Sequence, residues 1–271
     1  MNDYVLGDDA LAARRLEIQD AQFAEASERL LDDLALSPDD QVVEIGVGAG
    51  GFSRRILRRL GPGGVLRGID FTAGLLDQAR ARLADCGPAR FEPVLANALE
   101  PGSWLEGADV VVGRNVVHHF PLAESWIGRL RAALRPSTRV GFIEPEFRAL
   151  LGRMVLLEQA GRTEVRVLRG WAEGISRFYQ ASGVSPAVGA TLGWAFRAAG
   201  FQNVRADSSE HPTDATVLEN MLLYYDEIRD IYQRMGIMTA AEIDQQQELI
   251  RALPGEGLPA IWGIHRVTAV S

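Results

Sequence analysis

The sequence predicts an α/β fold, a doubly wound and mostly parallel seven-stranded sheet with added helices forming a lid. Three observations carry that expectation. From residue 41 to 144, short apolar runs alternate with helical stretches of roughly 10–15 residues, the pattern of βαβ units. A glycine-rich segment, Gly46-Val47-Gly48-Ala49-Gly50-Gly51, leaves the first run and opens the first of those helices. The run Val110-Val111-Val112 has no polar alternation, as expected for a strand covered on both faces.

Ahead of the sheet, residues 9–35 read as one helix, with Leu11, Leu16, Phe23, Leu30, Leu31 and Leu34 as an apolar stripe. Ser37-Pro38-Asp39-Asp40 ends it. Residues 1–40 are therefore expected to form a helical cap, and residues 41–271 the sheet-bearing domain. Strands are expected at 41–45, 65–70, 91–95, 109–113 and 139–144, with helices at 52–60, 73–84 and 122–134. Helical insertions follow at about 147–185 and 214–253. Between them, Ser185-Pro186 is expected to start a helix that Gly200 closes, and 201–205 and 260–270 read as strands. Capping boxes at Thr216/Glu219 and Thr239/Glu242 are expected to open the last two helices.

The chain has 271 residues, with 36 acidic against 28 basic ones and a formal charge of -8. Every basic residue is an arginine, which excludes Schiff-base, pyridoxal-phosphate and phosphate-loop lysine chemistry. The preference for arginine and alanine also points to a GC-rich bacterial genome. An acid excess argues against a nucleic-acid backbone or an anionic membrane as partner. That excess is uneven: residues 201–250 hold ten acids and three arginines, whereas 147–180 hold six arginines and three acids. Cys86 has no second cysteine for a disulfide or a metal cluster, and the histidines lack metal-ligand spacing, so no metal is expected. The N-terminus lacks a signal pattern, and no run of about 18 apolar residues occurs. These features predict a soluble, cytoplasmic protein. The apolar stripes on the N-terminal helix and on residues 216–235 leave room for a homodimer.

Glycines after a strand permit a tight turn and let a ligand lie against the backbone, and the helix N-terminus that follows suits a carboxylate or phosphate. Gly46, Gly48 and Gly51 also satisfy GxGxxG, the pattern of dinucleotide sites. Glu44 and Asp70 add context. Glu44 lies two residues before the first glycine, where a buried carboxylate needs a partner, either the loop or a ligand's ammonium group. Asp70 ends the second strand, placed to accept hydrogen bonds from ribose hydroxyls.

On these residues the sequence resembles the class I S-adenosylmethionine-dependent methyltransferases of small-molecule type. Glu44-Ile45-Gly46-Val47-Gly48-Ala49-Gly50 resembles the family's first motif, and Gly68-Ile69-Asp70-Phe71 with Leu75-Leu76-Asp77-Gln78-Ala79-Arg80 its second. Leu95-Ala96-Asn97-Ala98 stands where the family reads adenine, with Asn97 in place of the usual Asp. Asp109-Val110-Val111-Val112-Gly113-Arg114-Asn115-Val116-Val117-His118-His119-Phe120 is similar to the fourth-strand motif. Ala198-Ala199-Gly200-Phe201 resembles the end of the helix before the family's reversed final hairpin. Tyr4-Val5-Leu6-Gly7 with Arg15-Leu16-Glu17-Ile18-Gln19 is similar to N-terminal caps whose glutamine reaches the cofactor. The resemblance implies a Rossmann-like methyltransferase fold and S-adenosyl-L-methionine as cofactor. It implies cofactor contacts from Gln19, Glu44, Gly46, Gly48, Gly50, Asp70, Phe71, Asn97, Ala98 and Arg114.

Displacement at a sulfonium methyl needs alignment and exclusion of water, and a base only where the acceptor must lose a proton. His118 and His119 follow the fourth strand at the edge where open sheets bind ligands, and histidine suits base work near neutrality. Glu144 ends the next strand at the same edge, as a base, a recognition group or a local cap. Trp171, Phe178, Tyr179, Tyr224, Tyr225 and Trp262 are candidates either for packing or for an aromatic lid over the acceptor. The expected activity is methyl transfer to a small-molecule acceptor, of the kind found in bacterial secondary metabolism. The alternatives are a nicotinamide-dependent oxidoreductase and a non-methylating cyclase or scaffold that keeps the same cofactor.

Overall fold

In the computed structural model, which describes residues 10–271, the alternating apolar runs become strands of one sheet. The Tyr4-Val5-Leu6-Gly7 motif lies outside the described residues. The strands are β1 (Gln41–Ile45), β2 (Val65–Asp70), β3 (Arg90–Leu95), β4 (Val110–Arg114), β5 (Arg139–Glu146), β6 (Gln202–Glu210) and β7 (Gly263–Val270). Their order is β3-β2-β1-β4-β5-β7-β6, with β1 to β5 parallel and β7 running antiparallel between β5 and β6. Successive residues of a strand face opposite layers, and the valine runs use both. Val42, Val110 and Val112 pack with Leu30, Leu34, Phe52 and Ile56 on one face. Val43, Ile45 and Val111 pack with Trp126, Phe142 and Phe196 on the other. This is the mostly parallel, doubly wound sheet that the alternation predicted. Its order reverses beside β1, so the loops after β1 and β4 diverge over a crevice at the carboxyl edge.

The helices are α1 (Ala10–Gln22), α2 (Ala24–Leu34), α3 (Gly51–Leu57), α4 (Ala73–Leu83), α5 (Ala123–Ala133), α6 (Arg148–Gln159), α7 (Val165–Ala181), α8 (Val188–Ala198), α9 (Ala215–Arg234) and α10 (Ala240–Arg251). Several boundaries differ from the sequence reading, for local reasons. The helix expected over 9–35 is broken at Phe23, whose carbonyl accepts the Ser27 hydroxyl at 2.7 Å; this side-chain bond to the preceding turn bends helices. The helical stretch 147–180 is divided near Gly161, where the backbone takes a φ of +90°. Ser185-Pro186 makes a turn instead of a helix start: Ser185 Oγ accepts from Ala187 N at 3.2 Å, and the helix begins at Val188. Asp214, not Thr216, caps α9, and Glu219 pairs with Arg14 across the chain instead of closing a box. The Thr239/Glu242 box forms as expected.

Much of the two apolar stripes that left room for a homodimer is covered inside the chain, while Leu11 and Leu16 are half-buried and Met235 is exposed. Phe23, Leu30, Leu31 and Leu34 are buried, as are Val217, Met221, Tyr225, Ile228 and Tyr232 of α9. No helix among the described residues is long and apolar enough to cross a membrane.

Candidate functional site

A cavity of about 1460 Å³ opens at the carboxyl edge of the sheet and runs beneath α1, α7 and α9. One end is built by the loop after β1. Gly46 and Gly48 have φ of +74° and +54°, a left-handed backbone that glycine adopts without strain. A Cβ on Gly46 would stand 2.8 Å from Val116 Cγ2, so the loop can cross the end of β4 only with glycine there. At Gly48 nothing lies within 4 Å of the Cβ position, and the residue borders the cavity, so its open side faces the space a ligand would take.

Two acids set this loop. Asp70 Oδ2 accepts from Gly48 N at 2.9 Å and Oδ1 from Thr72 N at 3.0 Å, tying the loops after β1 and β2 together. Burial pushes the Asp70 pKa up against those backbone donors. Glu44, 1% exposed, accepts the Ser53 hydroxyl at 2.6 Å. Burial pushes its pKa up to about 8, while Ser53 and Arg114 oppose that shift. Arg114 leaves β4 over the Phe52 ring and donates to Asp20 Oδ1 at 2.8 Å and Ser27 Oγ at 3.1 Å. Asn97 Oδ1 accepts from Leu99 N at 3.0 Å, so part of its amide serves its own turn. Gln19, Glu44, Gly46, Gly48, Asp70, Phe71, Asn97, Ala98 and Arg114 all border the cavity. Gly50 does not; it caps α3 in a left-handed conformation.

Beyond the glycine loop, the chain after β4 turns through a short 3₁₀ segment, Val117–His119. Glu144, 0% exposed, organises it: Oε1 accepts from Val116 N at 3.0 Å and Val117 N at 2.8 Å, and Oε2 meets His118 Nδ1 at 2.5 Å. A carboxylate facing Nδ1 fixes the tautomer with the proton on Nδ1 and leaves Nε2 as the basic nitrogen. His118 and His119 border the cavity, with ring centroids 4.0 Å apart. Glu144 does not border it, so its carboxylate acts through His118 and the turn. Burial, His118 and Arg15 push the His119 pKa well down, which keeps that ring neutral.

The remaining wall is aromatic. Tyr179 lies 5.5 Å from His118, Phe147 5.9 Å from Tyr179, Trp171 6.1 Å from Phe147, and Tyr224 and Trp262 6.0 and 5.6 Å from Trp171. Of the six aromatic residues singled out in the sequence, Trp171, Phe178, Tyr179, Tyr224 and Trp262 border the cavity. Tyr225 instead packs against Tyr232. Sequence reasoning missed Arg15, Gln22, Phe147 and Asn220, which also border it. For Asn220 there was a signal: an amide within the apolar stripe Leu218, Met221, Leu222.

Comparison with known proteins bears on this geometry. The methyltransferase-domain family model matches residues 43–140, the stretch that holds the glycine loop, Asp70, Asn97 and the histidines. The chain is 28% identical over 127 residues to aklanonic acid methyltransferase of Streptomyces sp. (strain C5), covering 47% of this chain and 58% of that protein. It spans only part of the curated relatives it matches, 5% of a far longer one. Among solved structures, it superimposes on phosphoethanolamine N-methyltransferase 2 of Haemonchus contortus in complex with phosphomonomethylethanolamine and S-adenosylhomocysteine. That match has a TM-score of 0.55 at 14% identity and covers 91% of this chain and 52% of that one. It also superimposes on the [4+2]-cyclase SpnF, with a TM-score of 0.57 at 14% identity over 91% of this chain and 80% of that one. At such identities the superpositions establish the fold alone.

Proposed function

We propose that this chain, whose residues 43–140 match the methyltransferase-domain family model, acts as a class I S-adenosylmethionine-dependent methyltransferase and transfers a methyl group to a small-molecule acceptor held against the aromatic wall. A single observation carries the reading: one continuous cavity joins the glycine loop to the His118–Glu144 couple and the rings of α7 and α9. The open side of Gly48, the carboxyl groups of Glu44 and Asp70 and the exposed ring of Phe71 fit a nucleoside with an amino-acid arm. Gln19, Asn97, Ala98 and Arg114 complete that half of the cavity, with Gly46 shaping the loop. When bound, S-adenosylmethionine supplies a methyl group made electrophilic by its sulfonium. His118 Nε2 takes the proton that the acceptor loses, and Glu144 holds the ring in place and offsets the charge it gains. Trp171, Tyr179, Tyr224 and Trp262 orient a flat acceptor and keep water away. The aklanonic acid methyltransferase likeness supports an acceptor from secondary metabolism.

Calorimetric titration with S-adenosylmethionine, S-adenosylhomocysteine and NAD tests the cofactor half of the reading. The first two are expected to bind, with binding lost in Gly48→Val while the fold persists. Binding of NAD alone would overturn the reading in favour of a nicotinamide enzyme. Formation of S-adenosylhomocysteine across a panel of phenolic and enolic acceptors then reads the transfer itself, and its absence despite cofactor binding would favour the non-methylating alternative.

A further inference from the structure

The wall that α1 and α9 make together carries two polar side chains that the chemistry above does not use. Gln22, the last residue of α1, is 4% exposed, and Asn220, in the second turn of α9, is 9% exposed; both border the cavity. Asn220 Nδ2 donates to Gln22 Oε1 at 3.1 Å. That bond leaves Gln22 Nε2, a donor, and Asn220 Oδ1, an acceptor, with no partner among the described residues. The tally survives reversal of both amides, because turning the two together exchanges which residue donates and still leaves one donor and one acceptor open.

An unpaired buried amide atom gives up its hydrogen bonds to water and is destabilising unless a ligand supplies them. The surroundings give nothing back. Asn220 lies one helical turn from Tyr224, whose ring stands 6.0 Å from Trp171, and Trp171 stands 5.6 Å from Trp262. Two open amide positions side by side in an aromatic wall are matched by a ligand edge of the opposite pattern. An ionised carboxylate does not match, since it offers acceptors only.

We propose that Gln22 and Asn220 form a recognition pair for the methyl acceptor, selecting a neutral edge with an N–H or O–H donor beside a carbonyl, as in a lactam, on an otherwise flat molecule. The inference rests on the reading of the aromatic part of the cavity as the acceptor chamber. It assigns the pair to the acceptor and not to the cofactor because Asn220, which Gln22 pairs with, sits on α9 one helical turn from Tyr224, whereas the cofactor half takes the strand-end loops and, from α1, Gln19.

The test is titration of 2-quinolone, which carries such an edge, and of N-methyl-2-quinolone, which lacks the donor, into the full chain saturated with S-adenosylhomocysteine. The parent is expected to prefer 2-quinolone by about tenfold or more, the worth of one well-made hydrogen bond. Gln22→Met combined with Asn220→Leu keeps the side chains close in volume and is expected to bring the two probes within about twofold of each other, with unchanged affinity for S-adenosylhomocysteine. If the double variant does not unfold cooperatively, Gln22→Met alone removes one of the two open amides and is expected to cut the preference. A parent without preference, or a preference that survives these changes, overturns the proposal. So does a tenfold loss of S-adenosylhomocysteine affinity in the double variant, which would assign the pair to the cofactor. Methyl transfer is read separately: a lactam preference that the variants abolish, in a protein that transfers no methyl group, supports the pair and counts against the enzymatic reading.

Discussion

The Glu44 carboxyl sits 1% exposed beside Ser53, and burial pushes its pKa up to about 8 from an ordinary value of 4.5. A pKa raised on folding contributes stability that is fully present below pH 4.5 and lost as the pH rises through 8. Thermal unfolding from pH 4.5 to 8.5 is therefore expected to show a loss on the order of a few kcal/mol in the parent that Glu44→Gln largely lacks. Parallel curves for the two proteins would show that Glu44 does not titrate there. Glu144 gives a catalytic counterpart. Because it reaches His118 but not the cavity, Glu144→Gln is expected to lower kcat about a hundredfold with little change in KM. Equal loss in both constants would place Glu144 in acceptor binding instead. Both acids were visible in the sequence, Glu44 from its place two residues before the first glycine and Glu144 from its place at the expected end of the fifth strand. What each one holds was not, since Ser53 and His118 reach them only in the folded chain.

At the scale of elements, the central strands β1 and β4 were legible because burial on both faces leaves near-continuous apolar runs, and α3 to α5 because they return the chain between parallel neighbours. Helix ends were legible where the cap is local. Thr239 and Glu242 satisfy each other within one turn, and that box forms. The spacing Thr216/Glu219 looks equally good, yet Arg14, 205 residues away, takes the Glu219 carboxylate with its Nε at 3.0 Å. Asp214 then caps α9, accepting from Thr216 N at 2.9 Å and Val217 N at 3.0 Å. Asp214→Ala is expected to cost about 1 kcal/mol in urea unfolding and Thr216→Ala clearly less. The reverse ranking would restore Thr216 as the cap. Sequence spacing cannot rank two such caps when the deciding partner comes from another element.

For the whole molecule, the added helices were each legible and their meeting was not. α1 comes from the start of the chain and α9 from near its end, and they close one cavity because their facing side chains pair across it. The pair with most at stake is Arg15 and Glu227, whose Nε and Oε2 lie 2.5 Å apart with side chains 4% and 2% exposed. Desolvating two charges offsets most of their attraction, so such a pair adds little net stability while it is intact. Removing one partner is different, because the other keeps its charge at a position nearly closed to water. Arg15→Met is expected to destabilise the protein by about 3–5 kcal/mol in urea unfolding. Adding Glu227→Leu to that variant removes the buried carboxylate and is expected to recover most of the loss. A double variant as unstable as the sum of the two single changes would mean that the residues act independently. Recovery would instead identify the pair as a device that fixes how α1 sits on α9, and with it the shape of the chamber that Gln22, Asn220 and Tyr224 share.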